Sequence, residues 1–174
     1  SQDRLIMAAL ELRPHQLVML DNLRAAFAEG HRAVMLYAPC GAGKTEIAVS
    51  MLDSAAKKER PRRGAMVVDL KLLCAQTSAR LQKYLIDHGV IQPESPRYRP
   101  ELPIQVCTVQ TLEARGGFPA VDLLVVDEAH TLRASVIEFI QNNPRVKVVG
   151  LSGSPFTKGL ANTYTTVVSP VTVN

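Results

Sequence analysis

Eight consecutive residues constrain this chain more than any other feature: Ala38-Pro39-Cys40-Gly41-Ala42-Gly43-Lys44-Thr45. They follow a short apolar run at residues 33–37 and precede a stripe of Ile47, Ala48, Met51, Leu52 and Ala55 at helical spacing. A glycine-rich loop between a strand and a helix turns consecutive backbone N–H groups, and the positive end of the helix, toward an anion. Gly41 and Gly43 lack a Cβ and let that backbone come close. Lys44 has the reach for the β- and γ-phosphates of a nucleotide, and the Thr45 hydroxyl suits Mg²⁺. The usual pattern opens on glycine, and here that position is Ala38. An ordinary extended conformation there accommodates it.

The rest of the chain repeats the strand–helix alternation. Apolar runs at residues 65–70, 104–108, 121–126 and 146–151 read as further strands. They are nearly continuous rather than alternating, as in parallel strands covered on both faces. Helices are expected at 12–27 (Leu17, Leu20, Leu23, Arg24 and Phe27 recurring at helical spacing), 45–57, 71–88 and 132–141, with a short turn at 110–114. Pro93, Pro96, Pro100 and Pro103 mark an irregular loop. The Thr/Val-rich end from residue 158 reads as one edge strand or the start of a linker. The expected class is α/β: a parallel sheet sandwiched between helices in a P-loop nucleoside triphosphatase.

Composition narrows the possibilities. With 174 residues, 47% of them apolar, the chain has enough material for one domain with a real core. No apolar run has the length of a membrane span, and the first residues lack the order of a signal peptide. Cys40, Cys74 and Cys107 have no zinc or disulfide spacing, so reduced thiols are expected. Twenty basic and sixteen acidic residues leave a charge of +4. The stretch 57–63, with five basic residues and one acidic, carries that whole excess. It reads as a solvated turn on the sheet edge opposite the phosphate loop, with a secondary nucleic-acid contact as the alternative.

A second motif points to the same edge. Leu123-Leu124-Val125-Val126 runs into Asp127-Glu128-Ala129-His130, so a buried strand ends in two carboxylates. In open parallel sheets ligands bind beyond the carboxyl ends of the strands. Asp127 there would hold Mg²⁺, and Glu128 would orient and deprotonate an attacking water.

Together, Gly41–Thr45 and Asp127–His130 resemble the superfamily 2 helicases and translocases of the DEAH type. Arg13-Pro14-His15-Gln16, Thr108-Val109-Gln110-Thr111-Leu112 and Leu151-Ser152-Gly153-Ser154-Pro155 match further elements of that family in order. The nearest branch is DNA-directed, with restriction-enzyme motor subunits, RadD-like proteins and phage helicases. The resemblance implies a first RecA-like domain over residues 1–157, with 158–174 a tail or the start of a linker to a second such domain. It implies ATP on Arg13, Gln16, Pro39, Cys40, Gly41, Ala42, Gly43, Lys44, Thr45 and Glu46, with Gln16 reading adenine. Catalysis would fall to Lys44, Asp127 and Glu128, and Mg²⁺ to Thr45 and Asp127. His130, Ser152 and Ser154 would couple hydrolysis to movement, although Gly153 and Ser154 replace the usual alanine and threonine. Lys71, Gln76, Thr108 and Gln110 would contact nucleic acid, DNA before RNA, with no membrane involved. Asp69 departs from the proline or polar residue usual at its place. A cytoplasmic site in a bacterial or phage-infected cell, or a nuclear one in a eukaryote, would follow. The isolated 174 residues are expected to hydrolyse ATP slowly or not at all, because an arginine finger would come from the second domain. An RNA helicase domain, a P-loop ATPase of another class and an inactive nucleotide-binding module are the alternatives. Remaining features read as structural: Tyr37 and Phe156 as packing, and His15, His31 and His88 as surface or helix-end residues.

Overall fold

The computed structural model describes residues 9–39, 43–92 and 95–169. Among them helices and strands alternate: α1 (Pro14–Ala28), β1 (Ala33–Tyr37), α2 (Lys44–Ala56), β2 (Gly64–Val68), α3 (Lys71–Lys83), β3 (Gly89–Ile91), β4 (Ile104–Thr108), α4 (Val109–Ala114), β5 (Leu123–Val126), α5 (Ala134–Asn142), β6 (Lys147–Ser152) and β7 (Thr166–Val168). Single 3₁₀ turns lie at Ala129–Thr131 and Lys158–Asn162. The strands form one sheet in the order β3-β4-β2-β5-β6-β1-β7, every pairing parallel.

Both faces of the sheet are covered, which is why its strands read as unbroken apolar runs. Side chains alternate across the pleat. Val34 and Leu36 enter one core with Met19 and Leu23 of α1, Ile47 and Leu52 of α2, and Leu81 of α3. Ala33 and Met35 enter the other with Leu112 of α4, Val136 and Ile140 of α5, and Tyr164. Gly150 in β6 is obligatory for this second core: a Cβ there would stand 2.6 Å from the Tyr164 ring and 2.8 Å from Ala129 Cβ.

The chain order places the site. β5 and β6, late in sequence, insert between β2 and β1. The segments leaving the carboxyl ends of β1, β6 and β5 are therefore neighbours, with Tyr37 level with Ser152 and Val126 level with Gly150.

Four expectations are corrected. The inward face of α1 is Gln16, Met19, Leu20, Leu23 and Ala26, whereas Leu17 is 48% exposed; Gln16 turns inward to a backbone carbonyl, which rotates the stripe. Helix α3 ends at Lys83 instead of residue 88, because Leu85 takes a left-handed conformation (φ 60°) and reverses the chain. The three-residue strand β3 was too short to announce itself. His88 is fully buried rather than superficial: its Nε2 lies 2.6 Å from Ser78 Oγ and its Nδ1 2.9 Å from the Ile86 carbonyl. Both ring nitrogens are thereby satisfied.

The basic stretch 57–63 joins α2 to β2, at the amino-terminal edge of the sheet. Arg63 is tied down there, its N–H donating to Asp122 Oδ2 at 2.9 Å and its Nη2 to the Pro100 carbonyl at 2.9 Å. On the same edge Arg32 Nη1 donates to the Ile140 and Asn143 carbonyls, 3.0 and 2.8 Å away, closing the end of α5. No helix among the described residues is long and apolar enough to cross a membrane.

Candidate active site

The loop after β1 leads into α2, whose first two residues are Lys44 and Thr45, both half-buried. Cys40, Gly41 and Ala42 lie outside the described residues, and Pro39 is exposed. Gly43 precedes the helix in a left-handed conformation (φ 73°). Any Cβ at Gly43 would collide with Gln16 Nε2, so conformation and space both demand glycine.

Gln16 is held at two points. Its Oε1 accepts from the Arg13 N–H at 2.8 Å, and its Nε2 donates to the Gly43 carbonyl at 3.1 Å. A flipped amide would put like against like at both, so one orientation is fixed. An amide can make four hydrogen bonds; one lone pair and one N–H therefore remain for a ligand. Beside Gln16 opens a cleft of about 320 Å³, lined by Leu10, Glu11, Arg13, His15, Gly43, Glu46 and Tyr84. Glu46 is anchored from α3, with Arg80 Nη1 3.4 Å away and the Tyr84 hydroxyl donating at 3.4 Å. Arg80 and Tyr84 were invisible as site residues in sequence, because they lie 34 and 38 positions from Glu46 on another helix.

The carboxylates stand at the end of β5. The Asp127 N–H donates to the Val67 carbonyl at 2.9 Å, which fixes it to β2. Burial, then the neighbouring Glu128 charge, push the Asp127 carboxyl above its ordinary pKa; the Glu128 N–H and Lys44 pull the other way, and Asp69 adds to the rise. Glu128 is left-handed (φ 49°), as is Leu132 (φ 46°), and these two bracket the 3₁₀ turn. The Thr131 N–H and hydroxyl both donate to the Glu128 carbonyl.

His130 bridges this turn to β6. Its Nε2 lies 3.4 Å from Glu128 Oε2, and its Nδ1 3.2 Å from Ser152 Oγ. Ser152 is fully buried, donates to the Ser154 carbonyl at 3.0 Å and accepts from the Ser154 N–H at 3.1 Å. With its own proton committed, Ser152 can only accept from His130. Lys44 Nζ comes 3.8 Å from where a Cβ would stand on Gly153. Lys44, the carboxylate turn and the segment after β6 thus meet over one edge.

The donor set fits Mg²⁺. Among the described residues no three His, Cys, Asp or Glu side chains could hold a metal by themselves. Thr45 and Asp127 instead offer hard oxygens, and Mg²⁺ characteristically combines one or two such ligands with water and substrate phosphate oxygens.

Four other candidate residues lie at or after the carboxyl ends of β2 and β4. Lys71 opens α3 and is exposed, as is Gln76. Gln110 is exposed on α4. Thr108 is buried; its hydroxyl accepts from the Thr111 N–H at 3.2 Å and donates to Thr111 Oγ1 at 2.9 Å. It serves as the cap of α4.

A parallel sheet with a Gly-Lys-Thr helix start and an Asp-Glu turn on one edge defines a P-loop ATPase domain of the RecA-like kind. Residues 9–157 match the model of the type III restriction enzyme res-subunit family, and the chain belongs to that family. It is a first RecA-like domain of the superfamily 2 helicase type, related to restriction motors. No curated protein sequence matches it. Among solved structures, the UvsW helicase from bacteriophage T4 is 20% identical with a TM-score of 0.72, over 95% of this chain and 63% of that one. The Sulfolobus solfataricus SWI2/SNF2 ATPase core, solved with double-stranded DNA, is 21% identical (TM-score 0.65; 86% and 33%). The type ISP restriction-modification enzyme LlaGI, solved with a DNA substrate mimic, is 19% identical (TM-score 0.69; 91% and 19%). At such identities the likeness is one of fold. The chain spans less than two thirds of each of these proteins.

Proposed function

We propose that this chain is the ATP-binding motor domain of a DEAH-type DNA translocase or helicase, completed by a second RecA-like domain. The observation that carries the reading is the meeting of Lys44, the Asp127–Glu128 turn and the His130–Ser152 contact over one edge, beside a Gln16 amide fixed in one orientation. The free lone pair and N–H of Gln16 match N6–H and N7 of adenine, so the base occupies the cleft beside Arg13 and Glu46. The triphosphate lies over residues 39–45, with Lys44 on the β- and γ-phosphates. Thr45 and Asp127 would hold Mg²⁺, which would supply charge neutralisation at the phosphates. Glu128 takes a proton from the water that attacks the γ-phosphorus, and the bond to the β–γ bridging oxygen breaks. His130 reports the state of Glu128 to Ser152, and Ser154 carries it into the segment after β6.

The full activity needs more than these 174 residues. Residues 1–157 form the ATP-binding domain, and 158–174 lead toward the second domain and its arginine finger. Lys71, Gln76, Thr108 and Gln110 lie along the path of the nucleic acid, with Thr108 acting through the start of α4. DNA is favoured over RNA by the restriction-motor family itself. The compartment is the cytoplasm of a bacterial or phage-infected cell, or a eukaryotic nucleus.

The test uses a fluorescent ATP analogue with Mg²⁺. The wild-type chain should bind it, and Lys44→Ala should abolish binding. In the intact protein, single- or double-stranded DNA should accelerate hydrolysis, while this chain alone stays slow. Nucleotide turnover indifferent to DNA and RNA would favour a P-loop ATPase of another class.

A further inference from the structure

Two side chains outside the nucleotide-site motifs meet beside the carboxylate turn. Asp69 directly follows β2, and Arg133 is the N-cap residue of α5. Arg133 Nη2 lies 3.1 Å from Asp69 Oδ2, and Nε lies 3.3 Å from Oδ1. Each carboxylate oxygen faces its own guanidinium nitrogen. Such a two-point fork fixes direction as well as distance, which a lysine could not do. The Asp69 side chain is 17% exposed and that of Arg133 49%, so the pair sits at the rim, with its acid sheltered.

What the fork joins matters more than its strength. Asp69 stands two residues before Lys71, at the start of α3. Arg133 stands directly after Leu132, the left-handed residue that closes the turn opened by left-handed Glu128. That turn is pinned at its start by the Asp127 N–H on β2 and across its middle by His130 on Ser152. A short strained segment, fixed at several points, tends to switch between discrete arrangements rather than deform smoothly. At its far end the fork is a further anchor. A second tie runs alongside: Ser135 Oγ donates to Glu113 Oε1 at 3.2 Å, joining α5 to α4.

We propose that the Asp69–Arg133 fork is the link through which DNA lying along the start of α3 sets the position of Glu128. The inference rests on the motor reading above and deepens it by naming how the site is regulated. Asp69 and Arg133 are positioning residues that act through the turn. They govern how strongly DNA accelerates hydrolysis, and leave the binding of DNA and of nucleotide to other groups. A purely electrostatic role predicts something different. Removing the Asp69 charge would ease ionisation of Asp127, whereas removing Arg133 would leave that charge uncompensated, so the two substitutions would act in opposite directions. A mechanical link makes them act alike.

The experiment measures ATP hydrolysis by the intact protein with and without saturating duplex DNA, for wild type, Asp69→Asn, Arg133→Gln, the double variant and Arg133→Lys. DNA affinity by anisotropy, nucleotide affinity and the melting transition are recorded in parallel. The ratio of stimulated to basal rate should fall about threefold to thirtyfold in each single variant, the range for residues that carry coupling between sites. The double variant should be no worse than either single, as for two halves of one link. Arg133→Lys should resemble Arg133→Gln, because charge without the fork is insufficient. Both affinities and the melting transition should stay near wild type. A wild-type ratio in Arg133→Gln or Arg133→Lys, opposite shifts in the two single variants, or additive losses would overturn the link. Should Asp69→Asn fail to fold, the two substitutions at the more exposed Arg133 still decide it. A wild-type protein without any stimulation by DNA would instead refute the motor reading, and the link with it.

Discussion

Replacing Gln16 by glutamate tests the amide lock with almost no change in shape. The Arg13 N–H can still donate to the new carboxyl, but the oxygen facing the Gly43 carbonyl at 3.1 Å is a donor only while the carboxyl is protonated. Losing that hydrogen bond on ionisation costs about 1 kcal/mol. Ionisation costs more, since Gln16 is only 6% exposed and a carboxylate would point at a carbonyl oxygen. The new carboxyl therefore keeps its proton in the folded state, and its pKa rises above the unfolded value of about 4.3. A group with a raised folded pKa contributes its full stability below the unfolded pKa and loses it as pH rises through the folded one. The penalty is thus capped at about 1 kcal/mol at pH 5 and about 3.7 kcal/mol at pH 7. For a domain of this size each kcal/mol moves the melting temperature by about 2–4 °C. Melting of Gln16→Glu and wild type between pH 5 and pH 8 should show a gap that widens with pH, and binding of the ATP analogue should weaken in the same direction. A gap independent of pH, or none, would refute the lock.

Glu128→Gln should bind ATP normally yet hydrolyse it about 10²- to 10⁴-fold more slowly in the intact protein, the usual cost of losing a general base; single-turnover kinetics would show it, and normal turnover would remove Glu128 from that role. His88 should make stability pH-dependent in the opposite sense to the Gln16 variant. Burial first, then Arg97, lowers its pKa, against the pull of the Ile86 carbonyl and Asp87. Its stabilising contribution is present above the unfolded pKa of about 6.5 and is lost as pH falls below it; His88→Gln should flatten that slope in melting curves. Alkylation of the native chain should spare Cys74 and Cys107, because burial raises the Cys74 thiol to about 11 and the Cys107 thiol further; if Cys40 is exposed, its modification should block nucleotide binding. Mass spectrometry identifies the residue, and unchanged ATP binding after full modification of Cys40 would contradict the prediction.

Sequence reveals what is local or imposed by the sheet. Val34, Leu36, Val125 and Val149 read as strands because both faces are buried, and parallel strands then bring residue 38 and residue 127 to one edge without any pair contact being known. Gly43 and Lys44 read as a helix start bearing a phosphate site because the chemistry lies in adjacent residues. Contacts between distant elements leave no such mark. Nothing near Asp69 announces Arg133, and nothing near Glu46 announces Arg80. Thr108, read as a nucleic-acid contact, also caps α4, a role its Thr-x-x-Thr spacing permits but does not single out. His88 looked exposed because its partner Ser78 lies on the preceding helix and the reversal between them has no glycine.

That reversal separates strain that does work from strain that does not. Leu85 occupies the left-handed position after α3; its N–H bonds the Gln82 carbonyl at 3.0 Å, and the Ile86 N–H bonds the Leu81 carbonyl at 2.9 Å. This closing motif usually carries glycine. The left-handed conformation costs a leucine about 1–2 kcal/mol, partly offset by the entropy a glycine would lose on folding. Leu85 is 62% exposed, so little packing is at stake, and Leu85→Gly should stabilise the domain by about 0.5–1 kcal/mol without changing nucleotide binding. Leu132 is left-handed too, but it closes the turn that holds Glu128. Glycine there would relieve similar strain while freeing the turn from its enforced shape. Leu132→Gly should therefore melt no more than about 1 kcal/mol away from wild type, yet hydrolyse ATP more slowly in the intact protein. If both substitutions changed stability alone, the strained turn would be no more than a helix connection, and the shape of residues 128–132 would carry no part of the catalysis.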